Sequence, residues 1–410
     1  MALNPNLSRK TLIMAATEPV SNTNSITTQL LTGVSSSAFL AFDEINPLSV
    51  DFNVVDTTPV RASLTPQKNL VGRKLVNVRP KTLWMNSPGI DFINLTDNSA
   101  AQFDDFPGTA THTNSGSPSY ALKTSTGLAT VDGATSGRAP YFGSLLRACG
   151  LKQLNYLSNS VIYEPRSSSF ETASVWVYAD QILHKAAGCV GTFTLAGTAG
   201  EGIELQFDLQ GSYNSPTGAN TQPTTTYPAD KKTLMNYAKA IVTANNDGTD
   251  STENGVGYQG GGSSERPIIR SFNFDAGVTV TERGDISSNE GLYGLYITDR
   301  APTLDLTVEV ENNLVSASGK PGFNPILDMA NANTHNIRFQ HGPSDSSGNK
   351  TAHSNTVFSF PQAQLVDVQY GDDAGIRTYN LSYSLTNTVD DDEYSITIGN
   401  PADLGAQPVT

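Results

Sequence analysis

Residues 255–260 read GVGYQG, which matches the glycine spacing of a dinucleotide-binding turn. Such a turn needs a strand before it and a helix opening from it, so that backbone amides point at phosphate. Here the match lies inside NGVGYQGGGSSERP, with neither element, and reads as a glycine-rich loop. His112, His184, His335, His341 and His353 form no H-E-x-x-H pair. His335 and His341 are close enough to chelate a metal by accident, but the expectation for loop histidines is solvation. Cys149 and Cys189 have no zinc spacing and are expected to be reduced and buried. DDDE at 390–393 lacks the ligand spacing of a calcium loop and is expected to be a solvated turn. No G-x-S-x-G elbow occurs. Carboxylates are plentiful on strand-like runs, but nothing in their spacing brings two into a pocket. No catalytic, cofactor-binding or metal residue is assigned, and the expectation is a protein that is not an enzyme and needs no cofactor.

The elements that could position chemistry are mostly strands. The chain has 410 residues, and only 16% of them are charged. Thr, Ser, Asn and Gly fill the deficit, and 35 Gly and 22 Pro favour strands joined by many turns. The formal net charge of −14 has the wrong sign for neutralising phosphates or docking on an anionic membrane. The N-terminal MALNPNLSRKTLIMAATEP has no apolar signal-peptide core, and no run reaches transmembrane length. The expectation is a chain made and folded in a cytoplasm.

Strands are expected at Thr11–Ala16, Ser37–Phe42 and Ser49–Val55, and as a pair on either side of Val71-Gly72-Arg73. Residues 86–137 read as a long loop or insertion. In APYFGSLLRACGL (139–151), Pro140 suits a helix start and Gly150 its end, and Phe142, Leu145, Leu146 and Cys149 share one face. Strands follow around Val161–Tyr163 and Ser174–Tyr178, then a long hairpin over 182–213. In its second arm Ile203, Leu205, Phe207 and Leu209 alternate with Glu204, Gln206, Asp208 and Gln210, so one side is apolar and the other polar. Residues 214–230 read as a linker or arm, Lys231–Ala244 as a short helix, and 245–264 as a glycine-rich loop. Further strands are expected at Ile268–Phe274, Val278–Glu282, Leu292–Ile297 and Leu304–Val310.

The same order then recurs. VRPKTLWM (78–85) has a counterpart in DRAPTLDLTV (299–308), and YFGSLLRACG (141–150) in FNPILDMANA (323–332). The hairpin has one in SFPQAQLVDVQYGDDAGIRTYNLSYSL (359–385), where Tyr379, Leu381, Tyr383 and Leu385 alternate with Asn380, Ser382 and Ser384. Sheet, helix and long hairpin thus appear twice. The expected organisation is a first domain over 1–213 with the insertion 86–137, a linker and loop over 214–264, and a second domain over 265–410.

The strings LLRACGL, VIYEP, SVWVYADQILHKAAGCVGTFTL, IELQFDLQGSY and LYITDRAPTLDLTVE, in this order, resemble tail tube proteins of long-tailed bacteriophages. The resemblance is to the subgroup with a duplicated tube domain and covers roughly residues 55–90 and 139–400. It implies a mainly β fold of two tandem β-sandwich or barrel-like domains, each with a short flanking helix. It implies three chains per ring of six pseudo-equivalent domains, with rings stacked into a tube. It further implies a place in the virion tail after assembly in the host bacterial cytoplasm. The implied partners are other copies of the chain and the tape measure, terminator and initiator proteins. Double-stranded DNA would pass through without specific binding, and no membrane is involved. Residues 86–137 and 214–264 go beyond this resemblance; both are too long and too polar for ordinary sandwich connections, and at least one is expected to lie on a neighbouring ring or chain.

A two-faced ribbon buries its apolar side and leaves its polar side in water. On the tube reading, Glu204 and Asp208, and with them Asp305 and Glu309, face the channel, where negative charge repels phosphate. The rival readings are a tail initiator or hub ring, a β-rich carbohydrate-binding or adhesion module, and a polysaccharide-active enzyme using an Asp/Glu pair.

Overall fold

The computed structural model describes residues 11–18, 39–40, 48–55, 69–84, 111–112, 120–121, 142–156, 160–180, 182–217, 237–244, 268–287, 292–310, 324–341, 355–387 and 391–399. The remaining parts of 86–137 and 214–264, Pro140, the GVGYQG stretch and His353 lie outside them.

The described chain is mainly β with two short helices. It runs β1 (Thr11–Thr17), β2 (Phe39–Leu40), β3 (Leu48–Val55), β4 (Leu70–Val78), β5 (Lys81–Leu83), β6 (Thr111–His112) and β7 (Tyr120–Ala121). Then come α1 (Gly143–Ala148), β8 (Leu151–Tyr156), β9 (Ser160–Pro165), β10 (Ala173–Ala179), β11 (Ile182–Thr198) and β12 (Ile203–Thr217). They are followed by β13 (Tyr237–Ala244), β14 (Ile269–Asp275), β15 (Val278–Gly284), β16 (Leu292–Arg300) and β17 (Thr303–Glu309). The chain continues through α2 (Pro325–Ala330), β18 (Thr334–His341), β19 (Asn355–Asp373), β20 (Ile376–Leu385) and β21 (Ser395–Gly399).

Both helices lie where proline and glycine punctuation places them. Gly150 ends the α1 turn with φ of 82°, a conformation that disfavours a side chain. The Asn324 side chain accepts from the Leu327 amide at 3.2 Å, and Pro325 opens α2. Every residue of α1 is buried, whereas α2 exposes Ile326, Leu327 and Met329.

Two expected elements are replaced. Val71-Gly72-Arg73 is no turn: β4 runs unbroken through Gly72, which faces the Asn53 backbone across β3. Within Lys231–Ala244 the described part is not a helix but β13, paired antiparallel with β18. The run AIVTA has β-branched residues that suit a strand, and a partner strand overrides the helix formers before it. The stretch 214–264 is therefore not wholly linker, because β13 belongs to the sheet and β12 continues to Thr217. Strands β8, β18 and β21 were not expected from periodicity.

Seventeen strands form one antiparallel network. Its central path is β3–β4–β12–β11–β14–β17–β20–β19, hydrogen-bonded throughout. The recurring order has a structural counterpart. β1–β10–β11–β12 pair in series, as do β13–β18–β19–β20. Phe207 donates its amide to the Pro80 carbonyl at 3.0 Å, and Leu385 donates to that of Pro302 at 3.1 Å. Yet the copies are not separate bodies among the described residues: β14 of the second pairs with β11 of the first, so the sheet is common.

The core is common too. Phe274 has ring centroids of Phe193 at 5.7 Å, Phe360 at 5.3 Å and Tyr394 at 4.9 Å. Trp84 packs between Phe142 and Phe358 and donates its indole N–H to the Thr356 hydroxyl at 2.9 Å. An ionic clasp adds to this. Arg300 reaches Asp391 at 3.1 Å and Glu393 at 2.8 Å, and donates to the Arg166 carbonyl. Within the acidic run 390–393, the described residues 391–393 are thus not merely solvated, because Asp391 and Glu393 hold a largely buried guanidinium. The Glu18 carboxylate, also buried, is satisfied by the Thr172 and Ser174 hydroxyls and the Gly188 amide.

Phe274→Ala is expected to cost about 3–5 kcal/mol. Because Phe274 touches both halves, calorimetry should show one unfolding transition for wild type and variant, not two. The clasp should be acid-sensitive. Burial pushes the Asp391 carboxyl up, but the Ser167 hydroxyl and Arg300 outweigh it and hold it below its ordinary value. A carboxyl lowered on folding stabilises above its unfolded value of about 3.9 and loses that contribution as pH falls through the folded value. Urea midpoints of wild type and Asp391→Asn should therefore differ at neutral pH and converge in that acid window.

Candidate functional surface

The long hairpins project their side chains to two sides of the shared sheet. Directly opposed residues on antiparallel strands point the same way, so the register defines rows. One row runs Leu205, Leu195, Phe274, Leu304, Tyr383, Leu365, and all six are buried. The adjacent row runs Glu204, Ala196, Asn273, Asp305, Ser382, Asp367, on the opposite side. The next polar row runs Gln206, Thr194, Asp275, Thr303, Ser384, Gln364. The sheet is thus apolar on one face and polar on the other across six strands, β12 to β19.

All four acidic positions nominated from the sequence lie on this polar face. Glu204 and Asp305 share a row, three strand steps or about 14 Å apart. Asp208 and Glu309 lie in other rows of the same face, Asp208 opposite Thr192 and Glu309 opposite Thr378.

The ribbon is not a bare acidic strip. Glu204 is 2.8 Å from the Lys81 ammonium. Asp208 takes a two-pronged contact from Arg79, with both distances 3.0 Å, and this contact raises the Arg79 guanidinium further above its ordinary range. Glu309 is 2.9 Å from Arg270, which also bonds Asp373. The negative excess is spread from β14 to β19, on carboxylates held by neutral donors. Ser382 donates to Asp305 at 2.7 Å, Gln369 to Asp367 at 2.7 Å, and Thr192 to Asp275 at 3.3 Å. Asp275 also caps the Gly277 corner by accepting that residue's amide at 2.9 Å.

Sequence reasoning missed the cations. Arg79 and Lys81 flank Pro80 with a spacing of two, a signal that they share a face beside β12. Arg270, Asn273 and Asp367 carry no comparable mark, because it is pairing between strands distant in sequence that brings them to this surface: Arg270 to Glu309 and Asp373, Asn273 to Ala196 and Asp305, and Asp367 to Ser382.

Among the described residues, the histidines and cysteines take structural contacts. His335 is buried in β18, with Nδ1 3.2 Å from the Tyr383 hydroxyl and Nε2 3.7 Å from Asp328, so it is neither looped nor solvated. His184 meets the Tyr213 hydroxyl at 3.0 Å, and burial lowers its pKa. Cys149 and Cys189 are free and buried, and burial pushes both thiols well above their ordinary range. Among the described residues, no group of three or more His, Cys, Asp or Glu is arranged to hold a metal ion. No helix among them is long and apolar enough to cross a membrane. No protein-family model matches the chain, and no curated protein matches it.

Proposed function

We propose that the chain is a structural virion protein of a long-tailed bacteriophage, whose copies join into rings and stack into the tail tube. One observation carries this reading: a single sheet, built by both halves, is apolar on one face and polar with an acidic excess on the other over six strands. The resemblance of the strings along 55–90 and 139–400 to duplicated tube domains supports it independently. On this reading the polar face lines the channel, and the chain's place is the virion tail, assembled in the bacterial cytoplasm. Its partners are further copies of itself, in trimeric rings, and the tape measure, terminator and initiator proteins.

The charge pattern suits passage of DNA without adhesion. The cations Arg79, Lys81 and Arg270 are each held by a carboxylate, which denies them to phosphate. Asp275, Asp305 and Asp367 add a repulsive field that repeats with every copy in a ring and every layer of a stack. The channel wall works through this balance more than through Glu204 and Asp208 alone.

Negative-stain microscopy of the purified chain tests the function directly. Rings or hollow tubes are expected, and a strictly single-chain particle at high concentration, even with tail partners added, would sink the reading. Changing Glu204 and Asp208 to Lys tests the face. The double change frees Arg79 and Lys81 beside two new ammonium groups while leaving the apolar rows untouched. Virions carrying it should eject DNA slowly at low salt and faster at high salt. Normal ejection at every salt concentration, from tubes shown to contain the variant, would place this face elsewhere.

A further inference from the structure

Within the chain, the second half covers the first in two ways. β14 takes the outer edge of β11 over Thr194–Thr198, beyond the stretch that β10 occupies. The β15–β16 hairpin then packs behind the same strands, where Leu292, Leu295 and Ile297 close on Leu75 and Val190. An ion pair between Arg73 and Glu282 ties the hairpin down.

Among the described residues, no strand takes the corresponding edge of the other repeat. β18 stops pairing with β19 at Gln364, and from there to Asp373 β19 is bonded on one side only, to β20, among the described residues. Val366 and Tyr370 on this stretch are 51% and 59% exposed. The hairpin β3–β4 is the counterpart of β15–β16, since each leads through a proline link into a strand paired with the second arm of a long hairpin. It stands at the far end of the sheet path with Val54 and Leu70 at 54% and 62% exposure. The base of the β3–β4 hairpin is thus engaged within the molecule, by β12 and by β15–β16, while its Val54 and Leu70 end stays exposed; among the described residues the β19 edge has no hairpin on it.

We infer that the β3–β4 hairpin of one copy docks on the β19–β20 edge of a second copy of this chain, repeating between molecules the contact that β15–β16 makes within one. An open strand edge beside exposed apolar side chains is a template for strand addition. Because the two surfaces differ, the contact is head-to-tail and propagates until the rotation closes it into a ring. The inference rests on the ring-forming function proposed above and adds which surfaces meet.

Two surface variants of the full chain test it. Val54→Asp with Leu70→Asp blocks the hairpin, and Val366→Lys with Tyr370→Lys blocks the edge; all four side chains are exposed, so circular dichroism should match wild type. Light scattering after size exclusion should give oligomers for wild type, single chains for each variant alone, and dimers that grow no further for the two variants mixed one to one. If the variants assemble as wild type does, this pairing of surfaces is wrong while the ring function stands. Dimers in the mixture, with wild type that makes neither rings nor tubes, would uphold the interface and overturn the tube. A wild type that stays a single chain, with the mixture showing no dimer, would mean that the chain's own segments cover the edge, and the inference falls.

Discussion

Five residues of β11, Thr194–Thr198, pair with Ser271–Asp275 of β14, and most of the architecture depends on that contact. It turns two copies of a sheet-helix-hairpin order into one sheet, and it sets the register that puts Glu204, Asn273, Asp305, Ser382 and Asp367 in one row. A slip of one residue would send Phe272 and Phe274 to the polar face and Asn273 into the core. The slip is opposed by the aromatic cluster behind the pairing, where Phe274 is enclosed by Phe193, Phe360 and Tyr394.

The core gives this register its strength, and polar contacts finish the seams. Trp84 crosses from the first half to Thr356 of the second, and Arg300 gathers Asp391 and Glu393 beside Arg166. Largely buried charges such as these contribute little net stability, since desolvation offsets most of the attraction. Their consequence is specificity. A guanidinium withdrawn from water demands its carboxylates, which fixes how β21 lies against β9 and β19.

On the open face the balance is different. The pairs of Glu204 with Lys81 and Asp208 with Arg79 are about half exposed and are worth little to folding. Their effect is on the surface potential: Arg79 and Lys81 are matched, while Asp305 and Asp367 are bonded to neutral groups. On the proposed function, such a surface repels polyanions weakly over a wide area, with Arg79, Lys81 and Arg270 held by carboxylates.

The alternation in IELQFDLQ and TYNLSYSL was legible from the chain alone, because a period of two has only one physical meaning once glycine turns bound it. The repeat order, both helices and the buried cysteines were legible for similar local reasons. β13 was not, since a lysine- and alanine-rich run takes strand form only when β18 lies beside it. Nor was the burial of His335, which comes from its place between Tyr383 and Asp328, or the role of 390–393, which comes from an arginine ninety residues away. The sequence by itself determined the mainly β class, the two-faced hairpins and the duplicated order, all properties of neighbours along the chain. Only the tertiary structure decided that the halves share one sheet and one core, and that cations neutralise the acidic ribbon. Those outcomes depend on pairing between strands distant in sequence, for which the local pattern holds no record.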